Sequence, residues 1–331
     1  MLTLLLSILA LAQPSPDAAP SATVPAPAPL DAPDYAAPGP YRTEVVDGTW
    51  IDPARGDRRV PWRAYLPIAP DAPAPVVFVS HGLGGDQRTK AWYGRHLASW
   101  GFAAIHLQHL QADGTPERFR DGIDRESVIL RHQDPTFALS ALLAHVDEPP
   151  WRDRVDPSRA GIAGHSLGAR TTLAVAGQTL AGVDVGPFRD ARFRAAFAMS
   201  PSPPPNDTAA HAFHDMAMPI AHLTGTRDES PLDRFPAIDR RIPFDAIHDV
   251  DQVLVIFADA THGTFGGNDE RDPSLEQHLA VLRALAIAWW RDHLSDDPEA
   301  HAWWSGEGLR RAVSPRDQVE VRPARPARPA R

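Results

Sequence analysis

The stretch Arg159-Ala160-Gly161-Ile162-Ala163-Gly164-His165-Ser166-Leu167-Gly168, running on to Ala176, decides the architecture. Residues 159–165 read as a buried strand, and Leu167 to Ala176, rich in Ala, Leu and Val, as a helix. Ser166 falls at the junction, inside Gly-His-Ser-Leu-Gly. A serine on a strand–turn–helix junction, with a glycine two residues to either side, is the pattern of a nucleophile elbow. The turn strains the serine backbone, and side chains at 164 or 168 would clash there. The hydroxyl is lifted above the carboxyl ends of the strands. The helix N-terminus behind it favours developing negative charge.

Outward from this junction, strands and helices alternate. Arg58 to Pro67, Pro75 to His81, Phe102 to His109, Arg194 to Met199, Ile220 to Leu223 and Val253 to Ala258 read as strands. Thr89 to Trp100, Val128 to Val146 and Ser274 to His293 read as helices. Near-continuous apolar strands in such an alternation imply an α/β fold with a mostly parallel central sheet and helices on both faces. The Pro- and His-rich stretch Ser202 to Pro219 interrupts the pattern, where a cap or binding loop is expected. That stretch and Gln108 to Asp124 are the expected pocket walls.

The 331 residues suit one large domain or two small ones, with ample length for a sizeable core. Net charge is −9, so the body has no basic footprint for nucleic acid, and no such partner is expected. There is no cysteine, which excludes disulfides, thiolate metal sites and a Cys nucleophile. Lys90 is the single lysine. Leu2 to Ala12 is too short an apolar run to span a membrane and ends in Ala-Leu-Ala before Gln13. Residues 1–12 are therefore expected to be a signal peptide, with a secreted or periplasmic mature chain. Residues 13–40 read as a Pro/Ala-rich linker, 41–312 as the catalytic domain and 313–331 as a disordered Arg-Pro-Ala tail.

The chemistry implied by Ser166 needs three more parts. His81-Gly82-Leu83-Gly84-Gly85 follows a strand directly, and a glycine-rich turn there lets main-chain N–H groups face an acyl oxygen. The expected oxyanion donors are the N–H groups of Leu83 and Leu167. A phosphate loop is excluded, because no Gly-Lys-Ser/Thr follows. His262, in the loop after the last apolar strand, is the expected general base, chosen among 15 histidines by position. His165 is expected to point away from the site, and His106 and His109 to face opposite ways. His211, His214 and Asp215 have spacing compatible with a metal clamp, but solvated loop histidines are the expectation, and no metal or cofactor is called for. Asp228, after the strand Ile220 to Leu223, is the expected acid, giving the chain order Ser–Asp–His. Glu229 and Asp251 are its rivals. Arg131 and Asp134 read as scaffold ion-pair residues, with Arg170 a partner for an acid such as Asp134. Trp289, Trp290, Trp303 and Trp304 read as packing for the C-terminal helix.

Four stretches carry a family likeness: Val77 to Gly85, Leu97 to Phe102, Val155-Asp156-Pro157-Ser158-Arg159 through Gly168, and Ala260-Thr261-His262. Over about Thr43 to Trp304 the chain resembles the α/β-hydrolase superfamily. Within it, the likeness is to the branch of plasma-type platelet-activating-factor acetylhydrolases, dienelactone-hydrolase-like proteins, chlorophyllases and polyester-degrading cutinases. The resemblance implies Ser166 as nucleophile, His262 as base, Asp228 as acid, and Leu83 and Leu167 as main-chain donors. Polyester hydrolases of this branch carry an aromatic residue where Leu83 stands and a Trp near Met199-Ser200-Pro201. True dienelactone hydrolases use a thiol nucleophile, which this chain lacks. The expected activity is serine-dependent cleavage of a small-molecule or lipid-like carboxylic ester through an acyl-enzyme. The alternatives are an amidase or peptidase on the same residues, or a catalytically silent binding protein.

Overall fold

The computed structural model describes residues 33–116, 124–181, 188–229, 235–267 and 269–324. The expected signal peptide, most of the expected linker and the last residues of the expected tail lie outside them.

Among the described residues, nine strands form one sheet: β1 (Thr43–Asp52), β2 (Arg58–Pro67), β3 (Ala74–Ser80), β4 (Ala103–Leu107), β5 (Val155–His165), β6 (Phe193–Met199), β7 (Ile220–Arg227), β8 (Gln252–Thr261) and β9 (Gln318–Arg322). Their order is β1-β2-β4-β3-β5-β6-β7-β8-β9. The six central strands from β4 to β8 are parallel, and β1, β2 and β9 add antiparallel edges. The helices are α1 (Ala91–Ser99), α2 (Arg125–Ala144), α3 (Leu167–Ala176), α4 (Ala209–Ala212), α5 (Ile242–Ala246), α6 (Leu275–Ser295), α7 (Pro298–Ser305) and α8 (Glu307–Ala312). None of the described helices is long and apolar enough to cross a membrane.

Alternation along the strands divides the core in two. On β3, Val77 and Val79 join Tyr93, Leu97, Phe197, Trp289 and Trp290 on the α1/α6 face. Val76 and Phe78 join Leu139, Leu142, Ile162 and Leu173 on the α2/α3 face. Trp289, Trp290 and Trp304 are fully buried, as packing residues of the C-terminal helices should be. A Cβ at Gly161 would meet the Trp290 ring, so this strand position must stay bare for α6 to seat.

Two boundaries move. β9 lies within the stretch read as tail: it pairs antiparallel with β8, and Arg322 caps it over the Phe244 ring at 4.1 Å. An alternating Val-Glu-Val between the polar ends Gln318 and Arg322 suffices as an edge strand once β8 offers a free edge. At the other end, residues 33–40 belong to the fold. Tyr35 is buried between Trp100 and Trp303 at 5.4 and 5.7 Å, and the Gly39 N–H bonds Ser99 Oγ.

The expected cap, Ser202 to Pro219, packs in large part into the body of the fold. Phe213, Met216 and Met218 pack into the α2/α3 core, and Thr179 and Ala217 bond main chain across to Ala212 and Ala176. The apolar residues beyond α4 bury beside the end of α3 instead of covering the sheet edge. Of the other expected wall, Leu110 bridges Pro116, and residues 117–123 lie outside the description.

Candidate active site

Ser166, Asp228 and His262 each stand immediately after a parallel strand, at the carboxyl edge of β5, β7 and β8. This is the edge at which open parallel sheets place ligands. Ser166 has φ +58° and ψ −118°, strained for a side-chain-bearing residue, and its N–H is held by the Met199 carbonyl at 3.0 Å. The tight turn depends on bare neighbours. A Cβ at Gly168 would strike the Ser80 carbonyl, and one at Gly164 the Gly168 carbonyl.

The three side chains form one hydrogen-bonded series. Ser166 Oγ lies 2.9 Å from His262 Nε2, and His262 Nδ1 lies 2.7 Å from Asp228 Oδ1. Asp228 is wholly buried, and its other oxygen accepts from Thr224 Oγ1 at 2.9 Å. A carboxylate accepts only, so the His262 proton sits on Nδ1 and Nε2 is left to accept from the serine. The turn that carries His262 is pinned by Thr264, whose Oγ1 accepts the Thr261 N–H at 2.9 Å and donates to Asp272 at 2.6 Å.

Residues 81–85 abut the serine: a Cβ at Gly82 would lie 3.4 Å from Ser166 Cβ. A buried polar network sets their peptide planes. His81 Nε2 accepts the His109 N–H at 3.1 Å, so its Nδ1 carries the proton and donates to the Gly82 carbonyl at 2.7 Å. That carbonyl also accepts from the Gly85 N–H at 3.1 Å. In a trans peptide C=O and N–H point oppositely, so holding the Gly82 carbonyl inward turns the Leu83 N–H away from the His81 ring. Arg131 donates to the His81 carbonyl and to Ser80 Oγ, the latter at 3.2 Å. Burial, with Arg131 nearby, holds the His81 pKa well below the ordinary histidine value, so the ring stays neutral. Leu167 is the first residue of α3, where the leading N–H groups have no intrahelical acceptor.

Asp134 anchors the network. Arg58 grips it with two bonds of 2.8 Å, Arg55 reaches it at 2.9 Å, and His109 Nδ1 lies 2.9 Å from it. Burial favours its neutral acid, but the bonds from Arg58 and His109 outweigh that and hold its pKa down at about 2. The partners expected of Asp134 were Arg131 and Arg170; the ones found are Arg55 and Arg58, which β2 and the turn before it bring in.

The other candidates separate clearly. Glu229 is exposed, and Asp251 lies at the opposite end of β8, where it accepts the Ala324 N–H. His106 faces Tyr65 and the Thr89 carbonyl, while His109 faces Ser80 and Asp134. His211 and His214 stack on one another at 5.7 Å, and His211 Nδ1 is bonded to Asp207. Among the described residues no group of three or more His, Asp or Glu is arranged to hold a metal. His165 does not point away. Its ring stacks on His262 at 4.7 Å, and its Nε2 donates to the His262 carbonyl at 3.1 Å.

Three neighbours of the site carry no motif. Arg240 binds Asp228. Lys90 is buried and donates to the Phe265 carbonyl, in the turn after His262, and burial lowers its pKa to about 7. Trp92 Nε1 donates to the next carbonyl, Gly266, at 3.3 Å. For Lys90 its solitude among the basic residues was a usable signal; for Arg240 there was none.

A strand–serine–helix junction, with a histidine and a carboxylate from later strand ends in bonding contact, narrows the possible relatives. Residues 62–289, more than half of the chain, match the model of the dienelactone hydrolase family. The chain belongs to the dienelactone hydrolase family. It is thus a hydrolase of the α/β-hydrolase fold. No curated protein matches the chain. The family match runs from β2 into α6, so it takes in Ser166, Asp228 and His262. β1, α7, α8 and β9 fall outside the matched residues.

Proposed function

We propose that this dienelactone hydrolase family member is a serine hydrolase that cleaves carboxylic esters through an acyl-enzyme. The observation that carries the reading is the continuous series Ser166 Oγ–His262 Nε2 at 2.9 Å and His262 Nδ1–Asp228 at 2.7 Å, with the serine at positive φ. His262 takes the hydroxyl proton as Oγ attacks the ester carbonyl, and the N–H groups of Leu83 and Leu167 receive the oxyanion. The imidazolium then returns the proton to the departing alkoxide. Water, deprotonated by His262, attacks the acyl-enzyme, releases the acid and restores Ser166. Asp228 keeps the ring in the useful tautomer and stabilises its protonated form.

A fluorophosphonate probe tests the nucleophile. The expected result is one adduct, on Ser166, absent after heat denaturation. A native protein that takes no adduct there is a silent binding protein. Ser166→Ala is expected to lower kcat by about four to six orders of magnitude. A series of p-nitrophenyl esters of rising chain length, run beside matched anilides, tests the substrate class. Faster turnover of the anilides would move the assignment to an amidase. Export, with processing near Gln13, belongs to the same proposal, and the mass of protein recovered outside the cell checks it.

A further inference from the structure

Arg240 sits in the turn Ala237–Arg241 and is wholly buried, yet its guanidinium reaches three loops. Nε donates to the Asp228 main-chain carbonyl at 2.6 Å and stands 2.9 Å from Asp228 Oδ1. Nη1 donates to the carbonyls of Ser200 and Pro201 at 3.0 and 3.1 Å. Nη2 stands 3.3 Å from His262 Nδ1.

The last approach differs in kind from the others. His262 Nδ1 carries its proton toward Asp228, and a guanidinium nitrogen is donor-only. Two N–H groups therefore meet edge to edge. The contact is a cation laid against an imidazole that must gain a second proton during the reaction. The same oxygen, Asp228 Oδ1, serves both the guanidinium and the ring, so the negative charge that steadies the imidazolium is shared.

We infer that Arg240 is a positioning residue that fixes Asp228 and sets a cation against His262, opposing the positive charge the ring gains during the reaction. The inference rests on the proposed role of Ser166 and His262. Opposite charge favours the protonated ring and like charge opposes it. Among the described residues, the charged groups bonded to or in contact with the His262 ring are Asp228, which favours protonation, and Arg240, which opposes it. His165, stacked on the ring, is neutral because burial holds its pKa well below the usual value. Lys90, a further cation whose charge acts on His165, is tied to the Phe265 carbonyl.

The pH dependence of fluorophosphonate inactivation tests this without reference to the natural substrate. In Arg240→Gln the midpoint of the acid limb should rise by about one pH unit. The plateau rate should fall roughly tenfold or more. Arg240→Lys keeps the charge but loses the planar fork, so it should retain the wild-type midpoint with a reduced plateau. A folded Arg240→Gln protein, with native near-ultraviolet circular dichroism and an unmoved midpoint, would reduce Arg240 to a structural prop. If Arg240→Gln does not fold, the charge-balanced pair decides. The midpoint of Asp228→Asn/Arg240→Gln must lie above that of Asp228→Asn alone, and equal midpoints overturn the inference. Failure of the wild-type protein to label at Ser166 would instead overturn the proposed function.

Discussion

At the scale of single residues, the site divides into side chains with a local pattern and side chains without one. Ser166 and its two glycines are written in five consecutive positions, because the strain of the turn is local. His262 and Asp228 were legible only as positions after strands, yet that sufficed, since the fold delivers every such position to one edge. Arg240 was invisible. Nothing in Ile238-Asp239-Arg240-Arg241 separates the buried arginine from the half-buried one beside it, and only tertiary contact tells them apart. His165 misled for the opposite reason: adjacency in sequence to an elbow serine suggested distance from its base, whereas the ring stacks on His262. His81 has a consequence that can be measured. Its Nδ1–H fixes the Gly82 carbonyl and so the aim of the Leu83 N–H. His81→Ala should lower kcat by about 10²-fold, since loss of one oxyanion donor costs ~2.7–4 kcal/mol, while KM for a p-nitrophenyl ester changes little. An unchanged kcat would sever the ring from the loop geometry.

At the scale of elements, the strands that the apolar runs marked are present, and β2 has the bounds read for it, Arg58 to Pro67. Those strands are buried on both faces, which forces a continuous apolar run that sequence reading detects easily. The unread strands, β1 and β9, are edges. They mix exposed and half-buried positions, with the apolar Val45 and Ile51 open to solvent, and sit among Pro-, Arg- and Ala-rich flanks, so composition masked them. β9 covers the edge of β8, the strand that leads into His262. Ending the chain at Asp317 keeps the Asp317 bond to the Ala258 N–H and removes β9 with the residues that follow it. That truncation should cost on the order of 2 kcal/mol, roughly 4–8 °C in Tm. Hydrogen exchange should quicken along Gln252 to Ile256, and a variant that shows neither change would make β9 an ornament of the edge. The uncovered strand would also be open to pairing with another chain.

At the scale of the whole molecule, the single domain is tied at both margins: Tyr35 between Trp100 and Trp303, Arg322 on Phe244. Low-complexity flanks hid these ties, because one anchoring aromatic in a Pro/Ala stretch leaves no periodicity. Global stability should also register Lys90. Its folded pKa of about 7 lies well below the ordinary lysine value. Between about pH 7 and about 10 the unfolded chain therefore binds the extra proton, so this group makes stability rise with pH across that window. Below it lysine is charged in both states, and the full burial penalty applies. Lys90→Met should flatten the slope in denaturant titrations at about pH 7, 8 and 9. An identical slope would show that the ammonium finds more solvation than its surroundings offer. The bond between Ser166 and His262 joins residues 96 positions apart. During synthesis Ser166 thus leaves the ribosome long before His262, and the strand that delivers His262 comes after every other described parallel strand. A nascent chain therefore cannot close the Ser166–His262 bond until the sheet is nearly complete.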